Sequence, residues 1–134
     1  MICQANECLK VVALECELAV LVCSELGHTV VAMDNLNEDY YSSDIKMEWL
    51  NKLHSTEQNS KIEYIHGDVC DRHLLNRTIH GYNIDAVIHL ASQESIWDDG
   101  AVKQPFHYPL NNIDCFVELL EIIKEEEHRD IHLL

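Results

Sequence analysis

The stretch "HTVVAMDNLNEDYY" (His28–Tyr41) decides the fold of this chain. A short apolar strand is predicted from Thr29 to Met33, and Asp34 and Asn35 follow it directly. In parallel α/β sheets, an acidic side chain at the carboxyl end of the second strand accepts hydrogen bonds from the hydroxyl groups of a ribose. The stretch is therefore typical of the second half of a nucleotide-binding unit.

The rest of the chain alternates short apolar runs with helical patterns, without internal repeats or a low-complexity linker. Further strands are predicted at Ile62–His66, Ala86–Leu90 and Ile131–Leu134. Helices are predicted at Ile45–Leu53 with Asp44 as its cap, at Asp71–Ile79, and from about Asn111 to Glu127. Strands interleaved with helices form mostly parallel sheets with right-handed crossovers. The expected fold is α/β, with a doubly wound, Rossmann-like sheet truncated after about five strands, in one incomplete domain over residues 1–134.

The last predicted helix has one apolar face that should pack on the sheet. Its members recur at spacings of three and four residues and are Ile113, Phe116, Val117, Leu120 and Ile123. Pro109 suits the turn before this helix or its first turn.

Residues 1–26 allow two interpretations, because almost every position in "CLKVVALECELAVLVCSEL" is apolar and periodicity cannot separate them. One is a first strand around Leu9–Leu14 followed at once by a helix to Leu26. The other is one long helix. We favour the strand and helix, because this fold needs a central first strand.

The charge of the chain argues against two classes of partner. Nine Lys and Arg residues stand against 24 Asp and Glu residues, which gives a formal net charge of -15. Such a chain repels nucleic acid and anionic membrane surfaces, so neither is an expected partner. An acidic, solvated surface mainly confers solubility.

The six cysteines form no CxxC pair, and the N-terminus lacks a signal-like pattern. We therefore predict reduced thiols in a cytoplasmic protein, with Cys16 and Cys23 packed as small hydrophobic residues on one helix face. The nine histidines are scattered and include no HExxH motif, so no metal site is predicted.

Four stretches carry a resemblance to a known family: "GHTVVAMDNLNEDYY", "YIHGDVCDRHLL", "DAVIHLASQ" and "YPLNNIDCFVELLE". Together they resemble the nicotinamide-cofactor half of the extended short-chain dehydrogenase/reductase family, and most of all its nucleotide-sugar 4-epimerases that act on UDP-glucuronate. The resemblance covers the chain from Gly27 to its end, and it implies NAD as the cofactor.

The resemblance also implies positions that contact the cofactor. After the second strand, Asp34, Asn35 and Asn37 would meet the adenosine ribose, although Asp and Asn also suit a turn that ends a strand. Asp68 and Val69 match the Gly-Asp-aliphatic step that holds the adenine edge. The remaining matches are small residues under the phosphates and nicotinamide ribose, and an asparagine at the start of the next helix: Leu90, Ala91, Ser92 and Asn112.

The amino terminus departs from the family, which begins with a strand and a GxxGxxG turn. Its glycines let backbone amides approach the pyrophosphate at a helix N-terminus. Counting back without a gap from the glycine before the second strand places Lys10, Ala13 and Cys16 at the three glycine positions. Side chains there would hold the diphosphate away, and Glu15 and Glu17 would each oppose it by about 0.3–1 kcal/mol. We therefore expect NAD binding to be impaired.

The catalytic group of the family is a tyrosine with a lysine four residues later, and the lysine lowers the pKa of the phenol so that it can take a proton. No tyrosine of this chain has a lysine at that spacing, and the five are Tyr40, Tyr41, Tyr64, Tyr82 and Tyr108. We therefore expect no catalytic residues and no substrate domain in these 134 residues.

Two functional interpretations stay open, and they leave open whether the chain is an enzyme. The first is the NAD-binding half of a UDP-glucuronate 4-epimerase-like nucleotide-sugar epimerase or dehydratase that is inactive alone. The second is a non-catalytic, shortened paralogue that acts as a binding or oligomerisation module, because an incomplete sheet leaves a strand edge uncovered. The expected partners are a second copy or a full-length relative, with a nucleotide sugar only if the chain is completed.

Overall fold

The computed structural model describes residues 9–14, 17–38, 42–54, 61–92, 109–126 and 130–134. The strands are β1 (Lys10–Leu14), β2 (Thr29–Asp34), β3 (Ile62–His66), β4 (Ala86–His89) and β5 (His132–Leu133). The helices are α1 (Glu17–Glu25), α2 (Ser43–His54), α3 (Arg72–Gly81) and α4 (Cys115–Glu125). A π-helical turn, Leu110–Asp114, leads directly into α4.

In these ranges the strands form one parallel sheet in the order β3-β2-β1-β4-β5. Val11 of the central strand lies opposite Val30 on one side and Ala86 on the other. The chain runs outward from β1 to β3 and then crosses back to β4, so the strand order reverses between β1 and β4. Ligands of such sheets bind outside the carboxyl ends of the strands near this switch point. The predicted α/β, doubly wound class is confirmed.

Two apolar layers hold the helices on opposite faces of the sheet, because successive strand residues point to opposite sides. The layer under α3 and α4 contains Val12, Val31, Met33, Leu75, Ile79, Ile84, Val87, Leu119 and Ile122. The layer under α1 contains Val11, Val20, Cys23, Val30, Ala32, Ile62 and Ala86. Within the ranges given above, no helix is both long and apolar enough to cross a lipid bilayer.

The observed strands agree with the predicted ones, and the starts of two helices differ from the prediction. The four predicted strands are confirmed to within two residues at each end. For the amino terminus, the strand and helix interpretation is confirmed and the single long helix is wrong. The predicted helix Asp71–Ile79 corresponds to α3, and Asp71 is its N-cap rather than its first residue, since the Asp71 side chain accepts a hydrogen bond from the Leu74 amide at 3.0 Å. Asp44 is not the cap of α2, because the helix begins one residue earlier and Asp44 lies in its first turn.

The predicted apolar face of the last helix is wrong in part. The buried residues of α4 are Cys115, Leu119 and Ile122, and two of the five predicted residues, Phe116 and Ile123, are partly buried beside them. The other three are exposed, and they are Ile113, Val117 and Leu120. The helix has two neighbouring apolar stripes, and spacing alone cannot say which one meets the sheet.

Candidate cofactor site

The site begins at the carboxyl end of β2, and Asp34 is the last residue of this strand. The Asp34 carboxylate accepts hydrogen bonds from the Leu36 amide at 2.6 Å and from Lys46 Nζ at 3.2 Å. Both side chains of the Asp34–Lys46 ion pair are only 11% exposed. Leu36 adopts a left-handed conformation with φ of 55°, which turns the chain sharply after the strand. A buried aspartate is therefore fixed where the sequence predicts a ribose contact.

Lys46 is a member of this corner that the sequence analysis missed. It lies in the first turn of α2 and is buried, which is unusual for a lysine unless it is paired. The one signal in the sequence is a lysine about a dozen residues after a strand-ending aspartate, and that spacing alone is too common to be informative.

Asn35 and Asp68 connect the ends of β2 and β3. Asn35 Nδ2 donates to Asp68 Oδ2 at 2.9 Å, and the same asparagine accepts a hydrogen bond from the Asn37 amide through Oδ1 at 2.9 Å. The other Asp68 oxygen accepts from the Cys70 amide at 2.8 Å. Three of the residues that the resemblance implies for adenosine therefore form one hydrogen-bonded corner, and Asp34 lies next to it in the chain.

The adjacent residue Val69 packs partly buried against the core layer under α3 and α4. The second predicted group is on the other side of β1, because β4 is the neighbour of β1 in the sheet. Leu90 is 51% exposed directly after β4, Ala91 packs partly against the core, and Ser92 is exposed. Asn112 lies in the π-helical turn before α4. These positions stay predictions as cofactor contacts.

The connection between β1 and α1 lacks the glycines of the family's motif. β1 ends at Leu14 and α1 begins at Glu17, so only two residues separate them. The gapless count is therefore wrong, because it assigned Lys10 and Ala13 to turn positions and both lie within β1. Residues 15 and 16 lie outside the described ranges, and residues 9–26 contain no glycine, so the sequence of this stretch lacks the motif.

The predicted state of the cysteines is also wrong for two of them. Cys70 and Cys115 form a disulfide across 45 residues of sequence, with Cα atoms 4.8 Å apart. Cys23 is a free, buried thiol, and burial raises its pKa, so it packs as the small hydrophobic residue that was predicted. The expected partner of Cys23 on the helix face, Cys16, lies outside the described residues. Among the described residues, no group of three or more His, Cys, Asp or Glu side chains could hold a metal ion.

Two tyrosines of the described residues, Tyr64 beside Asp34 and Tyr82 at the end of α3, are held in the protonated form. Burial, helped by the neighbouring Asp34, raises the pKa of Tyr64 to about 12, and its hydroxyl donates to the Asp34 carbonyl at 3.1 Å. A hydrogen bond to Glu63 raises the pKa of Tyr82. A proton-abstracting tyrosine needs its pKa lowered, so neither residue has the environment of the family's catalytic group.

His89 is the last residue of β4, and its surroundings make the stability of the protein depend on pH. Its ring stacks on Phe116 with centroids 5.2 Å apart, and burial lowers the pKa of the imidazole. Its buried Nδ1 has no hydrogen-bond partner among the described residues. The folded state therefore favours neutral His89, whereas the unfolded chain takes up a proton below about pH 6.5. The contribution of His89 to the free energy of unfolding is therefore fully present above about pH 6.5 and is lost as the pH falls below that value.

We expect the His89→Phe variant, which keeps a ring against Phe116, to lose less stability than the wild type on acidification. Urea unfolding at about pH 7.5 and about pH 5 measures the difference. His73→Phe, at an exposed position of α3, is the control and should keep the wild-type pH dependence. Equal pH dependence in all three proteins would contradict the prediction.

The strand order and the helices on both faces define a domain of the Rossmann-like α/β class. A sequence model described as GDP-mannose 4,6 dehydratase matches residues 18–134, so the chain belongs to that family. The predicted resemblance to extended short-chain dehydrogenases of the nucleotide-sugar epimerase type is thereby confirmed.

Two curated relatives and one solved structure show the extent of this similarity. The UDP-glucuronate 4-epimerase 4 of Arabidopsis thaliana is 35% identical over 98 residues, which are 73% of this chain and 21% of the relative. The UDP-glucose 4-epimerase of Halalkalibacterium halodurans is 29% identical over 112 residues, which are 84% of this chain and 28% of the relative. The chain thus spans less than a third of either protein.

The solved structure is a UDP-glucose 4-epimerase from Stenotrophomonas maltophila with bound NAD and formylated UDP-arabinopyranose. It matches with a TM-score of 0.71 at 19% identity, and the match covers 93% of this chain and 36% of that chain. At this identity the likeness supports the fold.

Proposed function

We propose that this chain is the NAD-binding half of a UDP-glucuronate 4-epimerase-like protein that keeps the adenosine end of the cofactor site and lacks the pyrophosphate end. The supporting observation is a contrast between the two ends of the cofactor site. The Asn35–Asp68 corner beside Asp34 is held by three hydrogen bonds, whereas residues 9–26, which include β1 and α1, contain no glycine for the family's GxxGxxG turn. The chain therefore binds the adenosine part of NAD weakly and gains little from the diphosphate.

The residues present fit only the adenosine half of NAD. Asp34 has one carboxylate oxygen held by Leu36 and Lys46 and a second at 3.5 Å from Lys46, which leaves acceptor capacity for a ribose hydroxyl. The paired lysine also offsets the negative charge of the carboxylate. When bound, NAD would supply the hydride chemistry of the family, and these residues would hold its adenosine.

We expect no epimerisation of UDP-glucuronate by the purified chain supplied with NAD. The physical reason is the lack of a tyrosine with lowered pKa, since Tyr64 and Tyr82 are held protonated and no tyrosine has the required lysine. Chromatographic separation of the two 4-epimers after prolonged incubation measures turnover. Formation of the epimer by the chain alone, above a heat-denatured control, would contradict the proposal.

A second candidate function is a module that pairs with a second copy of the chain. It is favoured by an exposed apolar stripe on the π-helical turn and α4, formed by Leu110, Ile113 and Val117, which are 49%, 58% and 49% exposed. The short strand β5 also lies at an edge of the sheet within the described ranges. Analytical ultracentrifugation of the wild type and of Ile113→Asp tests this function. A dimer that Ile113→Asp dissociates supports it, and a wild-type monomer excludes it.

The cytoplasmic location stays a prediction, and one finding counts against it. Disulfides persist mainly in oxidising compartments, and Cys70–Cys115 is a disulfide. We propose that a nucleotide sugar is a partner only of a form of the protein that carries a substrate domain.

A further inference from the structure

The Cys70–Cys115 disulfide joins two segments that both carry predicted cofactor-site residues. Cys70 follows Asp68 by two residues in the turn between β3 and α3. Cys115 is the first residue of α4 and follows Asn112 by three. The bond therefore fixes the start of α4 against that turn, although 45 residues of sequence separate the two cysteines.

The backbone of Cys70 also belongs to the adenosine corner. Its amide donates to Asp68 Oδ1 at 2.8 Å, and Asp68 Oδ2 accepts from Asn35 at 2.9 Å. A shift of Cys70 would move the amide that orients the Asp68 carboxylate, and with it the link to Asn35. The disulfide is thus linked to the corner through Cys70, whose sulfur forms the bond and whose amide contacts Asp68.

We propose that this disulfide is a redox-controlled tie that orders the candidate adenosine site. In the oxidised chain it holds the β3–α3 turn and the start of α4 together. Reduction loosens both segments and the Asp68 contact with Asn35. The inference rests on the proposed function only where it calls this corner an adenosine site. The effect of the disulfide on local order does not depend on that function.

The chemistry is a two-electron exchange with a dithiol. Cys70 is partly exposed and Cys115 is 4% exposed, so a thiolate of the dithiol attacks the Cys70 sulfur and releases Cys115 as a thiolate. The second thiol of the reagent then attacks the mixed disulfide. The products are two protein thiols, which take up the two protons, and the oxidised, disulfide form of the reagent.

Hydrogen exchange followed by mass spectrometry, without any ligand, tests the tie. In the air-oxidised chain, alkylation without a reductant should label neither Cys70 nor Cys115. After treatment with dithiothreitol, amides of residues 66–74 and 112–119 should exchange at least about tenfold faster, because local opening becomes easier, whereas those of 29–34 in β2 should change little. Cys70→Ala/Cys115→Ala should match the reduced wild type and ignore dithiothreitol.

The matched control is Cys23→Ala, which removes the buried free thiol and should respond to dithiothreitol as the wild type does. Labelling of Cys70 and Cys115 in the air-oxidised chain, or equal exchange before and after reduction, would overturn the proposal. Should the double variant fail to fold, the oxidised and reduced wild-type proteins still decide the question. Adenosine binding is measured separately, so its absence would count against the proposed function and leave the tie standing.

Discussion

Restoring a glycine turn between β1 and α1 should raise the affinity of this chain for NAD about 10³-fold. The change replaces residues 15 and 16 by a seven-residue turn with glycine at its first, fourth and seventh positions, together with Glu17→Ser at the start of α1. Two charge-assisted hydrogen bonds of about 1.5 kcal/mol each, and about 1 kcal/mol from the helix N-terminus, give about 4 kcal/mol. Isothermal titration calorimetry with NAD measures the gain.

The control has a turn of the same length made of alanine and the same Glu17→Ser change. It separates the effect of open backbone from the effects of loop length and charge. We expect the alanine turn to gain less than about tenfold, because its side chains keep the diphosphate from the amides. Equal NAD affinity for the two turns, or no gain with either, would show that the missing glycines are not what limits binding.

The second large effect is expected at α4. Leu119→Ala should lower the free energy of unfolding by about 2–5 kcal/mol, because Leu119 is fully buried between α4 and the sheet and its truncation leaves a cavity. Leu120→Ala is the matched control one residue along the same helix. Leu120 is 39% exposed, so the same truncation there should cost less than about 1 kcal/mol. Urea unfolding of the three proteins measures both changes.

This pair also distinguishes the two apolar stripes of α4. The apolar spacing of the sequence predicts Leu120 on the face toward the sheet, whereas the structure places Leu119 there. A larger loss for Leu120→Ala than for Leu119→Ala would support the stripe read from the sequence and contradict the packing described above.

The strands could be predicted from the sequence because each is a short, largely apolar run bounded by polar residues. β3 was predicted with both ends correct, and β2 to within one residue. The amino terminus was harder, since an uninterrupted apolar segment satisfies the patterns of strand and helix alike. The requirement that a doubly wound sheet has a central first strand decided the question there, and periodicity did not.

The remaining errors have specific physical causes. The gapless count assumed the family's spacing, although the strand favoured for the same stretch already ran to Leu14, and the structure confirms that strand. The disulfide joins cysteines 45 residues apart, a distance at which spacing carries no information about contact. For the site, the resemblance indicated Asp34, Asn35 and Asp68, but Lys46 could be found only because the fold brings the first turn of α2 to the end of β2.

We propose that this chain keeps the adenosine end of the cofactor site and lacks the pyrophosphate end. Nuclear magnetic resonance titration of the isotope-labelled chain with adenosine and with NAD tests it most directly. We expect both ligands to shift the amide signals of residues 34–37 and 68–70, with dissociation constants that agree within about tenfold, since the diphosphate adds little. NAD binding at least about 100-fold tighter than adenosine, or no shift at these residues with either ligand, would contradict the account.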